Sequence, residues 1–384
     1  MTQDDQYILY YMDVSYYSGK LQAYLRFKEL SVDQRYIAWI KLSRIALRNT
    51  GVVEVPLLVL PDGTWLRDTT SIIEYLERRH TDSSVLPTDA YQRFFCRLIE
   101  DYADEWMWRP ALHYRWSYAV DRTMNARRFV NEFFPTPPGL RWAGRRYLAS
   151  RQYKTYVAGD GVSKDTRAHV EATYLDTLDR LQAVFDERPF LFGERPSIAD
   201  YGFFASMYRH FGIDPTPARI MRDRSPAVYE WLARLWNTRK SRFERDDIAW
   251  PAAGALPSGL ENMLESIGRT YLPSLHANAV SRAAGEKRHS FTIEGITYRD
   301  IPTQGFRAWC RERLQQHYDE LSADVQPHVR ETLERTGCWE PLQRDGRIAS
   351  GLPGADMLPV CRPPKIGAST QLKRLLFGTP HHEA

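Results

Sequence analysis

Cysteine is scarce in this chain of 384 residues, which has four, at positions 96, 310, 338 and 361. They lie far apart, none forms a CxxC pair, and none has a companion at the spacing of a zinc site, so the sequence predicts no metal centre. Such thiols are typical of reduced, mostly buried cysteines in the cytoplasm. The chain also lacks any apolar run of about 18 residues, so no membrane span is predicted.

No sign of charge dominates the composition. Lys and Arg number 52 and Asp and Glu number 48, which gives a net charge of +4. Because basic residues are interleaved with acidic ones and no basic block stands out, the sequence predicts no nucleic-acid partner. The start of the chain is polar and acidic, which predicts neither a secretory nor a transit signal. We therefore expect a cytoplasmic protein.

The most informative pattern lies between Val55 and Leu76. Pro56 lacks an N–H and so fits the first position of a strand, and Leu57 to Leu60 is an apolar run that suits a strand buried on both faces. The Pro-Asp-Gly sequence that follows predicts a turn, after which the chain returns as a second strand. Asp68, or one of the two threonines after it, then caps a helix.

The chain before this pattern predicts alternating strands and helices. Residues 7–12 and 35–40 are expected to form strands, and residues 18–30 and 41–49 helices. This βαβα order, followed by two strands and a helix, is that of a thioredoxin-like α/β domain. It implies a mixed sheet whose first two strands are parallel and joined by a crossover helix.

Beyond a linker at 81–88 the pattern is mostly helical as far as about residue 247. Its clearest signal is a capping box, Ser197 with Asp200 three positions later, at the start of a helix. The last 45 or so residues are rich in proline and glycine and are expected to be irregular. Further helices are predicted at 260–284, 306–321 and 325–336, and a tight β-hairpin at 291–298.

This order of signals resembles the cytosolic glutathione transferases over about residues 7–245. The resemblance implies an α/β thioredoxin-like N-terminal domain followed by an all-α C-terminal transferase domain. Ordinary members lack the mostly helical C-terminal extension with its small β-hairpin. The implied division is 1–82 for the thioredoxin-like glutathione-binding domain, 89–250 for the all-helical domain, 257–340 for the extension and 341–384 for an irregular tail.

A glutathione transferase must lower the pKa of the glutathione thiol, which is about 8.5 for a free cysteine. Theta- and zeta-like members use a serine in the loop between the first strand and the first helix, and Ser15 stands at that position. The resemblance implies that Ser15 is the catalytic hydroxyl, with Tyr11, near the tyrosine position of other classes, as the alternative. The chain has no cysteine before Tyr91, which argues against omega-type thiol transfer.

The resemblance also assigns the residues that hold glutathione. Val55-Pro56 resembles the family's Val-Pro, whose cis bond presents the valine backbone to the cysteinyl part of the tripeptide. Asp68-Thr69 takes the place of a Glu-Ser pair that holds the γ-glutamyl carboxylate at a helix N-terminus. The other implied contacts are Tyr17, Trp39 and Lys41.

Glu54 departs from the family pattern, since many members have lysine or glutamine at that position. Its carboxylate would repel the glycyl end of glutathione unless it points away. This departure and the extension favour an alternative function, that of a non-catalytic interaction or ligand-carrier protein built on the same fold.

An aromatic cluster early in the helical domain indicates an acceptor pocket for a hydrophobic or aromatic small-molecule electrophile. The same side chains would otherwise serve the core or dimer contacts. The resemblance further implies a homodimer that uses glutathione as a co-substrate and needs no metal. The predicted acceptor residues are Trp108, His113, Tyr114 and Trp116.

Overall fold

The computed structural model describes residues 6–36, 39–133, 138–243 and 249–352. Its first part contains β1 (Tyr7–Tyr11), α1 (Tyr16–Phe27), β2 (Val32–Tyr36), α2 (Trp39–Thr50), β3 (Leu57–Val59), β4 (Trp65–Leu66) and α3 (Thr69–Arg79). The sheet order is β2-β1-β3-β4. Strands β1 and β2 are parallel, and the other neighbours are antiparallel. The predicted thioredoxin-like arrangement is confirmed.

Strand β3 lies inside the sheet, and all three of its residues are buried. This burial on both faces explains its unbroken apolar sequence. The Val55–Pro56 bond before it is cis, as predicted. Gly63 has φ +85°, a left-handed conformation that the turn into β4 requires and that glycine adopts without strain.

The second strand differs from the prediction. Strand β2 spans Val32–Tyr36 rather than 35–40, and its side chains, among them Asp33, Gln34 and Arg35, are mostly polar and outward. It is an edge strand, so it needs little apolar sequence. The apolar Trp39, which suggested a strand, instead lies in the first turn of α2.

The second part is helical, with α9 at its centre. It contains α4 (Ala90–Glu105), α5 (Trp108–Ser117), α6 (Ala119–Phe133), α7 (Arg141–Gln152), α8 (Arg167–Glu187), α9 (Ile198–Ser206), α10 (Pro215–Arg224) and α11 (Pro226–Asn237). The predicted capping box is present, since Asp200 accepts a hydrogen bond from the Ser197 N–H at 2.9 Å. A Cβ at Gly202 would come within 3.0 Å of the Glu100 backbone, so glycine permits the close approach of α9 to α4.

The extension is also mostly helical and contains the predicted hairpin. Its elements are α12 (Leu260–Ser266), α13 (Leu272–Ala283), β5 (Arg288–Ile293), β6 (Ile296–Pro302), α14 (Gly305–Asp319), α15 (Gln326–Arg335) and α16 (Trp339–Gln343). Strands β5 and β6 are antiparallel. Their turn residues, Glu294 and Gly295, have φ of 49° and 76°, the conformation of a two-residue type I′ turn.

The extension joins the first two parts through buried contacts on α3 and α4. Glu74 of α3 contacts Arg313 of α14 and accepts a hydrogen bond from Arg97 of α4 at 2.9 Å. On α4, the Asp101 carboxylate accepts a hydrogen bond at 2.6 Å from the hydroxyl of Tyr271, just before α13. The extension therefore rests on both parts of the transferase-like region.

Three of the four cysteines, Cys96, Cys310 and Cys338, are buried free thiols. Cys361 and the tail from residue 353 onward lie outside the described residues. Among the helices that the structure does describe, none is both long and apolar enough to cross a membrane.

The ion pairs of Glu74 with Arg313 and Arg97 predict how much the attachment of the extension contributes to stability. Burial opposes ionisation of this carboxyl, yet Arg313 and Arg97 outweigh burial and lower its pKa. Glu74→Gln leaves both guanidiniums without their shared anion, so we expect the free energy of unfolding to fall by about 3 kcal/mol at pH 7. Because the folded-state pKa is lowered, the contribution of Glu74 is present above the pKa of the unfolded chain and disappears at more acidic pH.

Urea unfolding monitored by circular dichroism measures this loss. The matched control is Glu334→Gln, which removes the exposed pair with Arg330 and should cost no more than about 0.5 kcal/mol. Equal losses in the two variants would show that Glu74 does not anchor the extension.

Candidate functional site

The loop Met12–Ser15, called here the Ser15 loop, connects β1 to α1. The Ser15 N–H donates to the Met12 carbonyl at 3.1 Å, which closes a turn. The Ser15 Oγ accepts from the Ser18 N–H at 3.2 Å and so caps α1. A hydroxyl has one proton and two acceptor lone pairs. In the described contacts the Ser15 hydroxyl acts only as an acceptor, so its proton remains available at the N-terminus of α1.

Two arginines of the helical part hold the backbone of this loop. Arg115 of α5 donates to the Val14 carbonyl at 3.0 Å and pairs with Asp214 at 2.7 Å. Arg209, which lies just after α9, donates to the carbonyl of Asp13 at 2.8 Å and to its carboxylate at 2.7 Å. The position of Ser15 therefore depends on side chains that are distant in sequence.

A carboxyl group of the helical part also faces the Ser15 loop. Glu132, in the last turn of α6, lies beside the Val14 N–H and close to Tyr36 at the end of β2. Burial raises its pKa to about 7, with Arg128 opposing the rise and Asp13 adding to it. Glu132 is thus a group beside the loop that titrates near neutral pH.

The start of α3 forms the other side of the candidate site. Asp68 caps this helix by accepting from the Ser71 N–H at 2.8 Å, and its own φ is +67°. A left-handed conformation at a residue other than glycine is strained, and such strain is concentrated at functional sites. Thr69, the residue after Asp68, is buried. The cap satisfies one of the first N–H groups of α3, and the helix N-terminus favours an anion.

Glu54 is paired in the structure. Its carboxylate accepts from the Arg67 guanidinium at 3.1 Å. Burial raises the pKa of Glu54, and Arg67 counters this rise. The negative charge of Glu54 is therefore balanced by Arg67. This pairing weakens the repulsion of the glycyl carboxylate of glutathione that the sequence suggested.

A buried lysine connects the two sides of the site. Lys20 of α1 is fully buried, contacts both Glu100 and Asp104 of α4, and donates to the Thr70 hydroxyl of α3 at 2.9 Å. Burial lowers the pKa of Lys20, but Asp104 and Glu100 more than compensate, so its pKa is raised. This network joins α1 and α3 to the first helix of the helical part.

The predicted tyrosines take different places. Tyr11 ends β1, and burial together with Asp13 raises its pKa, so it remains a protonated phenol. The Tyr17 hydroxyl donates to Glu105 at 3.1 Å, which directs it toward α4. The ring of Tyr17 stacks on Trp108 at 6.1 Å between centroids. Trp39 and Lys41 lie in the first turns of α2, the former half-buried and the latter exposed.

The four predicted acceptor residues lie on different faces of α5. Trp108 contacts the ring of Tyr16, next to Ser15, at 5.6 Å. His113 instead bonds Glu171 of α8 at 2.9 Å, and its pKa is lowered by burial. Of the four, the structure brings Trp108 alone to the residues beside Ser15. Tyr114 stacks on Tyr118, and Trp116 is buried against Phe129.

Sequence reasoning did not identify Arg115, Arg209, Glu132 or Lys20. Arg115 stands inside the aromatic segment that the sequence analysis singled out, yet only the fold shows that its face of α5 points at the Ser15 loop. Over the described ranges, no group of three or more His, Cys, Asp or Glu side chains could hold a metal ion.

Both the thioredoxin-like part and the helical part contain a stretch that matches a known protein family. Residues 9–84 match the glutathione S-transferase N-terminal domain, and residues 164–234 match the C-terminal domain. The chain belongs to the glutathione S-transferase family. Residues 85–163, which include α6 with Glu132, and the extension, which includes α14, fall outside both matches.

Solved structures of glutathione S-transferases resemble this family member only distantly. One from Rhodospirillum rubrum F11 is 20% identical and covers 66% of this chain and 97% of its own, with a TM-score of 0.42. The beta-etherase LigF from Sphingobium sp. strain SYK-6 is 19% identical, covering 62% and 98%, with a TM-score of 0.40. A family member from Pseudomonas fluorescens pf-5, with two glutathione bound, is 16% identical, covering 61% and 89%, with a TM-score of 0.40. No curated protein sequence matches.

Glu132 should make the stability of this glutathione S-transferase family member depend on pH. A glutamate in the unfolded chain titrates near 4.3, whereas burial raises the pKa of Glu132 to about 7. The unfolded chain therefore releases this proton first, and stability is lost as the pH rises toward and through 7. Glu132→Gln never ionises, so we expect it to be more stable than the wild type by about 1–2 kcal/mol at pH 8, after allowance for solvent screening.

Urea unfolding at pH 5 and pH 8 tests this expectation, and the advantage of Glu132→Gln should be larger at pH 8. Glu230→Gln changes the same residue type at an exposed position of α11 and serves as the control. An advantage that is the same at both pH values would contradict the raised pKa.

Proposed function

We propose that the chain is a glutathione transferase that stabilises the thiolate of bound glutathione and transfers it to a hydrophobic or aromatic electrophile. In this proposal the Ser15 hydroxyl donates a hydrogen bond to the thiolate. The observation that carries it is the Ser15 hydroxyl, which caps α1 only as an acceptor and so keeps its proton available at the positive end of that helix. The family assignment supports the same reaction.

One hydrogen bond is sufficient for this task. A hydrogen bond to a charged group contributes roughly 1.5–3 kcal/mol. Since one pKa unit corresponds to about 1.36 kcal/mol, such a bond lowers a thiol pKa by about one to two units. From a starting value near 8.5, much of the glutathione is then thiolate at neutral pH. Tyr11 is the alternative donor, and its raised pKa would keep it able to donate.

The glutathione contacts form part of the same proposal. Val55 presents its backbone beside the cis bond to Pro56. Asp68 and Thr69 hold the γ-glutamyl end at the N-terminus of α3, where unpaired N–H groups favour a carboxylate. We propose that Tyr17, Trp39 and Lys41 complete the glutathione site.

We place the electrophile between the two domains, next to Trp108. The Trp108 ring contacts the rings of Tyr16 and Tyr17, and also that of Tyr156 at 6.0 Å between centroids. Such a position suits an apolar acceptor close to the Ser15 loop. The predicted domain division, cytoplasmic location and homodimer also remain proposals.

One observation favours the non-catalytic alternative. Helix α14 of the extension lies against the first turn of α3, where the Arg313 guanidinium is 3.4 Å from the Ser71 hydroxyl. Helix α14 therefore covers part of the first turn of α3, next to Asp68, where glutathione would have to enter. Binding and turnover measurements distinguish the two functions, because a carrier with a closed glutathione site would show neither.

The test combines thermal shift with glutathione and conjugation of glutathione to a dinitro-aryl halide. For Ser15→Ala we expect kcat/KM to fall about 10- to 100-fold, since the bond to the thiolate is lost. Ser15→Gly should lose as much activity, although glycine as an N-cap costs only a few tenths of a kcal/mol and alanine costs about 1 kcal/mol. Ser15→Thr keeps the hydroxyl and should retain activity.

Ser18→Ala is the matched control, since it removes a buried hydroxyl that accepts from the Met12 N–H at 3.4 Å in the same loop. Its kcat/KM should stay within a few-fold of the wild type. Full activity in Ser15→Ala would rule out the catalytic role of Ser15. A wild-type protein with neither glutathione binding nor turnover would rule out the transferase and favour the carrier.

A further inference from the structure

Helix α7 and the turns just before and just after it expose large apolar side chains to solvent. Leu140 is 61% exposed, Trp142 65%, Tyr147 60% and Tyr153 40%. These are four of the eight large hydrophobic side chains that are exposed in the described part of the chain, and they fall within 14 residues. A single exposed leucine needs no explanation, whereas a cluster of this kind marks an interaction site.

The same segment is strongly basic. Between Phe133 and Asp160 there is no acidic residue, and five are Arg or Lys. Over residues 119–157, the span of α6, α7 and the turn that follows, eight basic residues stand against two acidic ones. Because the whole chain has a net charge of +4, this segment carries +6 and the remainder −2. It is the exception to the interleaved charges of the rest of the chain.

The fold directs most of these side chains to one side of α7. Leu148, Ala149 and Gln152 are the buried residues of α7, and they form its inner face. At 3.6 residues per turn, Trp142 lies at the flank of the inner face, on the same side as Ala149 seven positions later, whereas Arg146 lies on the opposite half of the helix. Tyr147 and Leu140, seven positions apart, lie along the other edge of that same half. The outward half of α7 thus combines apolar and cationic side chains.

We propose that the outward half of α7 docks onto an anionic lipid surface. The large apolar side chains would enter the headgroup region, and Arg146 and Lys154 would contact lipid phosphates. This is the chemistry of an interfacial helix that lies on a bilayer without crossing it. The proposal does not depend on transferase activity.

The composition of the surface favours lipid over two other partners. Leu140 is aliphatic and cannot stack on a nucleic-acid base, whereas it gains from burial in a lipid interface. A two-fold pairing with a second copy of the chain would bring the same basic segment, with its charge of +6, to both sides of the interface. An anionic bilayer offers an apolar interior for the exposed hydrophobic side chains and negatively charged headgroups for the basic ones.

The test is co-sedimentation of the full chain with vesicles. One set contains phosphatidylcholine alone, and the other contains phosphatidylcholine with phosphatidylserine at 7:3. We expect binding to the anionic vesicles at least 10-fold tighter than to the neutral ones, and a marked weakening on going from 0.1 M to 0.5 M NaCl. No binding of the wild type to either set would overturn the proposal.

The double variant Arg146→Glu/Tyr147→Ser should bind anionic vesicles at least 10-fold more weakly than the wild type. The matched control is Arg222→Glu/Tyr229→Ser, which changes an exposed Arg and Tyr on α10 and α11, where the guanidinium lies 5.7 Å from the ring centroid. Both variants alter exposed positions, and thermal unfolding checks that they fold. Equal binding by the α7 variant and the wild type would overturn the assignment.

Two further measurements separate the other partners. Tight binding of a single-stranded oligonucleotide that the α7 variant loses, without vesicle binding, would show a nucleic-acid surface instead. Light scattering that finds a wild-type dimer and a monomeric α7 variant would show an interface between copies. Either result would replace the lipid proposal.

Discussion

The buried guanidinium of Arg115 is the contact on which the geometry of the candidate site depends. It donates to the Val14 carbonyl and pairs with Asp214, and both charged groups are almost fully buried. A buried charge is tolerated only when it is paired and hydrogen-bonded, so these partners determine each other's places. The carbonyl of Val14 is one of them, and Ser15 is the next residue. The loop with the proposed catalytic hydroxyl is therefore positioned by the helical domain.

Helix α1 is fixed along its length by the same principle. Arg209 holds the carbonyl of Asp13 before its first turn, and Lys20 in its second turn is paired with Glu100 and Asp104. Both contacts cross from the thioredoxin-like domain to the helical domain. Since the positive end of a helix acts only over about its first turn, a rigid orientation of α1 is needed for its N-terminus to act on a thiolate.

The sequence could predict the features that depend on residues close together in the chain. The cis bond at Val55–Pro56, the cap at Asp68, the capping box at Ser197 and the turn at Glu294 each depend on a few neighbouring residues. The role of Arg209 depends on Asp13, 196 positions away, and no local pattern reveals such a contact. The range of β2 was wrong for a related reason, because an edge strand carries little apolar signal. Averaging charge over the chain also concealed the basic stretch of α7.

The parts of the chain outside the matched family domains act at opposite sides of the candidate site. Helix α6 brings Glu132 to the Ser15 loop, and α14 brings Arg313 to the first turn of α3. The first places a carboxyl that titrates near pH 7 beside the proposed thiolate position, and the second places a guanidinium, paired with Glu74, near the proposed γ-glutamyl end. Because Glu74 neutralises Arg313, the preference for an anion at the second place comes from the N-terminus of α3 itself. The matched parts supply the sheet and the proposed hydroxyl, whereas α6 supplies a carboxyl whose charge near the proposed thiolate depends on pH.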